Sequence, residues 1–114
     1  MVRLFTKAMK KEERISKLLE MKALNPNDPF PSYAIALEYM GSETPQRALD
    51  YLLEIRAEFP DYLPCYYQLG NLYEKLLKPV EAITTYRQGI SVAENQRDAK
   101  TLNELQQALL VLED

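Results

Sequence analysis

Histidine is missing from this 114-residue chain, and tryptophan with it. Without histidine there is no His-based catalytic triad and no imidazole metal ligand, and the commonest general base is absent. Cysteine occurs once, at Cys65, so an internal disulfide is excluded. Cys65 stands among apolar neighbours at the start of an expected helix, where a thiol serves as a small packed hydrophobe. Glycine occurs at Gly41, Gly70 and Gly89 alone, which leaves no glycine-rich loop to cradle a phosphate. No run of 18 apolar residues exists, so no transmembrane helix is expected. The first residues, MVRLFTKAMKKEER, hold no apolar stretch long enough for a signal peptide, and position 2 is not glycine. A cytoplasmic, non-membrane protein without catalytic residues, cofactor or metal is the expectation.

Charge is present in both signs but unevenly placed. Residues 1–24 hold seven Lys or Arg against three Glu, a balance of +4; the rest holds seven against fourteen, a balance of −7. The basic start offers a surface to acidic partners or nucleic acid. No aromatic residue interleaves with those lysines, so they are read as a solvated helix face, and nucleic acid is not expected as a partner.

What the chain does contain is a repeat. Shifted along itself by 34 places, it sets Tyr33 on Tyr67, Ile35 on Leu69, Ala36 on Gly70 and Tyr39 on Tyr73. The same shift sets Pro26 on Pro60, Pro45 on Pro79, Ala48 on Ala82, Leu49 on Ile83 and Leu52 on Tyr86. A helix–turn–helix unit recurring at this period marks a solenoid. Small residues at 36, 70, 48 and 82 let paired helices approach closely. Tyr39 and Tyr73 place large rings between neighbouring helices. Pro45 and Pro79 suit a first helical turn, and Thr44 suits an N-cap.

The stretch Leu63–Gly89 resembles a tetratricopeptide repeat. Leu69-Gly70, Tyr73, Ala82, Tyr86 and Gly89 stand where that family's consensus has Leu-Gly, Tyr, Ala, an aromatic and a small residue, and Tyr66 takes the slot usually held by Trp. Ile35, Ala36, Tyr39, Ala48 and Pro60 fill the same slots upstream. The resemblance covers Pro29–Gln96 as two repeats. It implies an all-α fold, an α-α superhelix of about six helices in antiparallel pairs. The expected single domain runs from a half-repeat helix (7–25) through repeat 1 (29–60) and repeat 2 (63–95) to a capping helix (97–113), a complete small protein by helix count.

In the first helix Ile15, Leu18, Leu19 and Met21 form the expected apolar stripe. Asp28 is placed to cap the second helix, and Ala48, Leu49, Leu52, Leu53 and Ile55 point inward from the third. The fourth is expected over about 63–77 and the fifth over about 79–94. In the last helix Leu102, Leu105, Leu109 and Leu112 form the stripe. Leu110 and Val111 lie off it and are expected to pack on the preceding helix; left exposed, they and Val2, Leu4 and Phe5 would form self-association patches.

The resemblance also implies where a ligand sits, on the concave face lined by the first helix of each pair. The residues expected there are Phe30, Tyr33, Leu37 and Met40, then Tyr67, Asn71, Glu74 and Lys75, with Asp98, Thr101 and Leu105 from the cap. Tyr33 and Tyr67 occupy equivalent slots that packing does not require, and rings with a polar tip are what peptide grooves use as anchors. Family members that hold the acidic tails of heat-shock chaperones resemble one another in a Lys/Asn/Arg clamp. Here Tyr33 and Leu37 stand in two of those slots, so no carboxylate clamp is expected. The expected function is a non-enzymatic protein-interaction module for a partner segment with apolar or aromatic side chains. The second reading is a self-assembling scaffold, a homo-oligomer joined through the solenoid ends.

Overall fold

A computed structural model describes residues 10–113. Six helices run through them: α1 (Lys11–Leu24), α2 (Phe30–Met40), α3 (Gln46–Glu58), α4 (Pro64–Lys75), α5 (Pro79–Gln96) and α6 (Ala99–Glu113). No strand occurs among the described residues. The chain divides into two compact units, Met1–Tyr51 and Leu52–Asp114, and the division falls inside α3.

In the first unit α1 packs on α2. Ile15, Leu18 and Ile35 form its buried centre, with Met21, Ala34, Tyr39 and Tyr51 packed around them. Leu19 departs from the expected stripe and is 45 % exposed. One residue after Leu18 is a 100° rotation, which carries Leu19 off the face that meets α2. Between the helices Asp28 accepts a hydrogen bond from the Phe30 N–H (3.0 Å), while Pro31 occupies the first turn of α2. Thr44 does not cap α3. Its hydroxyl lies 3.4 Å from Ser42 Oγ, and that Ser42 oxygen accepts the Thr44 N–H (3.1 Å).

In the second unit α5 packs against both α4 and α6. Leu52, Ile55, Leu69, Leu72, Tyr86 and Leu105 are fully buried. Two small residues set the spacing. A Cβ at Gly70 would lie 2.2 Å from Tyr86 Cε1, and one at Gly89 would lie 2.7 Å from Tyr66 Cβ. Cys65 is buried, and its thiol donates to the Leu52 carbonyl (3.3 Å). Burial pushes that thiol up to about 12, against the smaller opposing pull of Arg56.

The helix ends in this unit differ from the sequence expectation. α4 stops at Lys75, short of Leu77, because Leu77 turns left-handed (φ 60°) and closes the helix. The Lys78 N–H reaches the Tyr73 carbonyl and the Leu77 N–H the Glu74 carbonyl, the paired bonds of a Schellman end. α5 runs two residues past Glu94 and ends in the same way on Arg97 (φ 56°). Asp98 then caps α6, accepting from the Thr101 N–H and hydroxyl (both 3.0 Å). Leu110 and Val111 do not pack on α5; they are 67 % and 76 % exposed. Val2, Leu4 and Phe5 lie outside the described residues.

Candidate functional site

Four of the expected ligand residues share α2. Phe30, Tyr33, Leu37 and Met40 follow one another at spacings of three and four, which holds them on one helical stripe. Phe30 is 48 % and Leu37 40 % exposed, while Tyr33 and Met40 are half-buried. Glu38 is the one charged residue of this helix. Its carboxylate is already engaged, accepting from Arg14 Nε at 2.8 Å and Nη2 at 2.9 Å. That paired hydrogen bond holds the Glu38 carboxyl below its ordinary range and raises the Arg14 guanidinium. The solvent-facing side of α2 therefore presents rings and aliphatic carbon with no unpaired charge.

The other four expected residues share α4. Tyr67 is half-buried, its ring centroid 6.4 Å from that of Tyr86 at a 47° tilt. Asn71 and Glu74 are held by the same tyrosine, whose hydroxyl lies 2.6 Å from Asn71 Oδ1 and 2.5 Å from Glu74 Oε2. One hydroxyl donates one proton, so Tyr86 bonds one of these two acceptors at a time, with the other beside it. Burial first, and then the Glu74 bond, push the Tyr86 phenol well above its ordinary value. Lys75 is exposed.

An open cleft of about 410 Å³ lies between α4 and α6, lined by Tyr67, Asn103, Glu104, Gln107, Ala108 and Val111. The α6 side is not the one expected. Leu105 is fully buried beside Gly89, and Asp98 and Thr101 are spent on the helix cap. Their replacements were visible in the heptad spacing: Glu104, Ala108 and Val111 run one residue ahead of the buried Leu105 and the half-buried Leu109 and Leu112.

A further arrangement was hidden from the linear sequence. The rings of Tyr39 and Tyr51 stack with centroids 6.1 Å apart. Lys11 Nζ and Arg47 Cζ lie 5.5 and 5.1 Å from the Tyr39 centroid, and Lys22 Nζ lies 5.8 Å from that of Tyr51. The basic face of α1 thus meets aromatics supplied by other helices, and such cation–π contacts contribute about 0.5–1 kcal/mol each at exposed sites. Among the described residues no group of three or more His, Cys, Asp or Glu could hold a metal ion, and no helix is long and apolar enough to cross a membrane.

No protein-family profile and no curated protein matches the chain. Solved structures do. It is similar to a tetratricopeptide repeat domain protein from Salinibacter ruber whose solution NMR structure is 45 % identical over 77 % of this chain and 89 % of that one, with a TM-score of 0.73. A crystal structure of the tetratricopeptide repeat domain protein from Salinibacter ruber is likewise 45 % identical, over 75 % of this chain and 97 % of that one, with a TM-score of 0.72.

Proposed function

The chain belongs to the tetratricopeptide repeat family, and from that premise we propose that it is a cytoplasmic, non-enzymatic interaction module that holds an apolar or aromatic segment of a partner protein. The fold is in general a protein-interaction scaffold and not a catalytic one. The observation that carries the finer reading is the solvent-facing side of α2. An apolar helix stripe is normally turned to the core. Here Phe30 and Leu37 face water, and the single charge of the helix is neutralised by Arg14. A partner's apolar side chains laid on that face would remove it from solvent. The α4–α6 cleft, with Tyr67 and Val111 in its walls, is the corresponding docking place in the second unit. Half-buried tyrosines such as Tyr33 and Tyr67 bring large rigid contact area with little side-chain entropy to lose, which suits them as anchors.

The test is capture of partners from native extract by the intact protein, by a Phe30→Ser, Leu37→Ser variant and by a Tyr33→Ala, Tyr67→Ala variant, with folding checked by circular dichroism. A partner held by the intact protein and lost from both folded variants is the expected result. A partner retained by both variants overturns the assignment of these faces.

One observation favours a second reading, self-assembly. Leu110 and Val111 leave adjacent aliphatic side chains in solvent near the end of α6. A mass by light scattering that stays monomeric across a hundredfold range of concentration removes that reading.

A further inference from the structure

The second unit has another opening. It has a volume of about 780 Å³, lies between the last turns of α3 and the middle of α5, and shares no residue with the α4–α6 cleft. Its floor is Tyr66, which is 4 % exposed and whose hydroxyl is already donated to the Pro60 carbonyl (2.6 Å). The floor is therefore apolar in effect. Leu53 and Ala57 from α3 and Val92 from α5 add aliphatic walls.

Into this cleft α3 extends one cation. Arg56 donates from Nη1 to Gln88 Oε1 at 3.3 Å, a long bond to a neutral amide. Among the described residues it forms no ion pair. A guanidinium has five N–H donors arranged as a fork, so most of its donor capacity remains for a ligand. A planar carboxylate accepts two of them side by side, and such charge-assisted pairs are roughly twice as strong as neutral ones. Ser91 stands on the α5 side, three residues after Gln88 and so on the same helical face. Asp61 is the anion of the lining; it sits at the exposed rim, where its carbonyl accepts from Gln96 Nε2 (2.6 Å).

We propose that this α3–α5 cleft is a second docking site, taking a segment of another protein in which an acidic residue adjoins an aliphatic one. The carboxylate pairs with Arg56, displacing its bond to Gln88, and the aliphatic side chain lies over Tyr66 between Leu53 and Val92. Asp61 repels the same carboxylate from the rim, so its removal strengthens binding.

The probes are fluorescein-labelled hexapeptides in which Asp or Glu precedes Leu, Ile or Val, with a matched set carrying Lys in place of the acid. Fluorescence anisotropy reads the affinity, and amide chemical shifts locate the peptide. The expected result is binding of the acidic set alone, weakened about fivefold by Arg56→Gln, tightened by Asp61→Asn and weakened by added salt. The perturbed resonances are those of Gln88, Ser91 and Val92. Absence of binding by every acidic peptide overturns the proposal, as does equal affinity for the lysine set or for the Arg56→Gln variant. Perturbations confined to Tyr67 and Val111 overturn it too, while leaving the α4–α6 reading intact.

Discussion

A methyl group placed on Gly70 would meet the ring of Tyr86, its carbon 2.2 Å from Cε1. The ring has nowhere to go: it is fully buried, and its hydroxyl is tied to Asn71 and Glu74. Alanine favours a helix over glycine by about 1 kcal/mol, yet overpacking a tight core costs about 1–3 kcal/mol or more. At a contact this short the second effect wins. Gly70→Ala is expected to lower the unfolding free energy by about 2 kcal/mol, read from urea midpoints at an unchanged m-value. Gly41→Ala is the control. Its nearest neighbour would be the Glu38 carbonyl at 3.9 Å, and its backbone angle (φ −86°) suits any residue, so it should change stability by no more than about 0.5 kcal/mol.

The left-handed ends of α4 and α5 are a second place where one atom decides the outcome. Leu77 and Arg97 hold positive φ with a Cβ in place, a conformation that costs an L-residue about 1 kcal/mol and glycine almost nothing. Leu77 is 87 % exposed, so little burial is lost on truncation. Leu77→Gly and Arg97→Gly are each expected to stabilise by about 0.5 kcal/mol, part of the relief being spent on the freer unfolded chain. Leu77→Ala should bring no such gain. Thermal midpoints of the three variants check this, and a destabilised Leu77→Gly would mean that the Leu77 side chain holds the turn.

The same positions show what a linear reading can reach. The helix pairs were legible because the period of 34 and the small residues at 36, 48, 70 and 82 are demands of close packing, and packing constrains residue type strongly. The end of α4 was not legible, because the usual marker of a left-handed end is glycine and Leu77 stands there instead. The stripe on α2 could be laid out by spacing alone. Its lack of free charge could not, since it depends on Arg14 reaching Glu38 across 24 residues. The lysines of α1 looked free of aromatic neighbours in sequence, yet Tyr39 and Tyr51 arrive from other helices. On α6 the cleft-facing residues lie beside the buried stripe, and Leu105 belongs to the core because Gly89 leaves room for it.

Arg14 and Glu38 make stability depend on pH on the acid side. Arg14 holds the Glu38 carboxyl below its ordinary value of 4.5. A group depressed in the folded state releases its proton more readily there than in the unfolded chain. Its contribution is therefore present above pH 4.5 and lost as pH falls through the lower folded value. Glu38→Gln is expected to be less stable than the parent at pH 7, with the gap closing as the pH is taken below about 4. The two-bond geometry predicts that Arg14→Lys is also weaker than the parent, because a lysine cannot match both oxygens. A gap independent of pH would show that the charge of Glu38 contributes nothing.

Cys65 gives the opposite dependence. Its thiol is buried against the Leu52 carbonyl, and burial raises it to about 12. In the unfolded chain a cysteine ionises near pH 8.5. The folded state therefore keeps a proton that the unfolded state gives up, so the stabilisation is complete below about pH 8.5 and declines as pH rises towards 12. The slope approaches about 1.4 kcal/mol per pH unit within that window. The stability difference between the parent and Cys65→Ala should narrow from pH 8 to pH 10.5, with the tyrosines common to both proteins. The same burial keeps the thiolate, the reactive form, out of the native state. At pH 8 an aromatic disulfide reagent is expected to label Cys65 only as fast as the second unit opens, and labelling should accelerate in Gly70→Ala. Immediate stoichiometric labelling of the native parent would show that the thiol is accessible and that this part of the core is open.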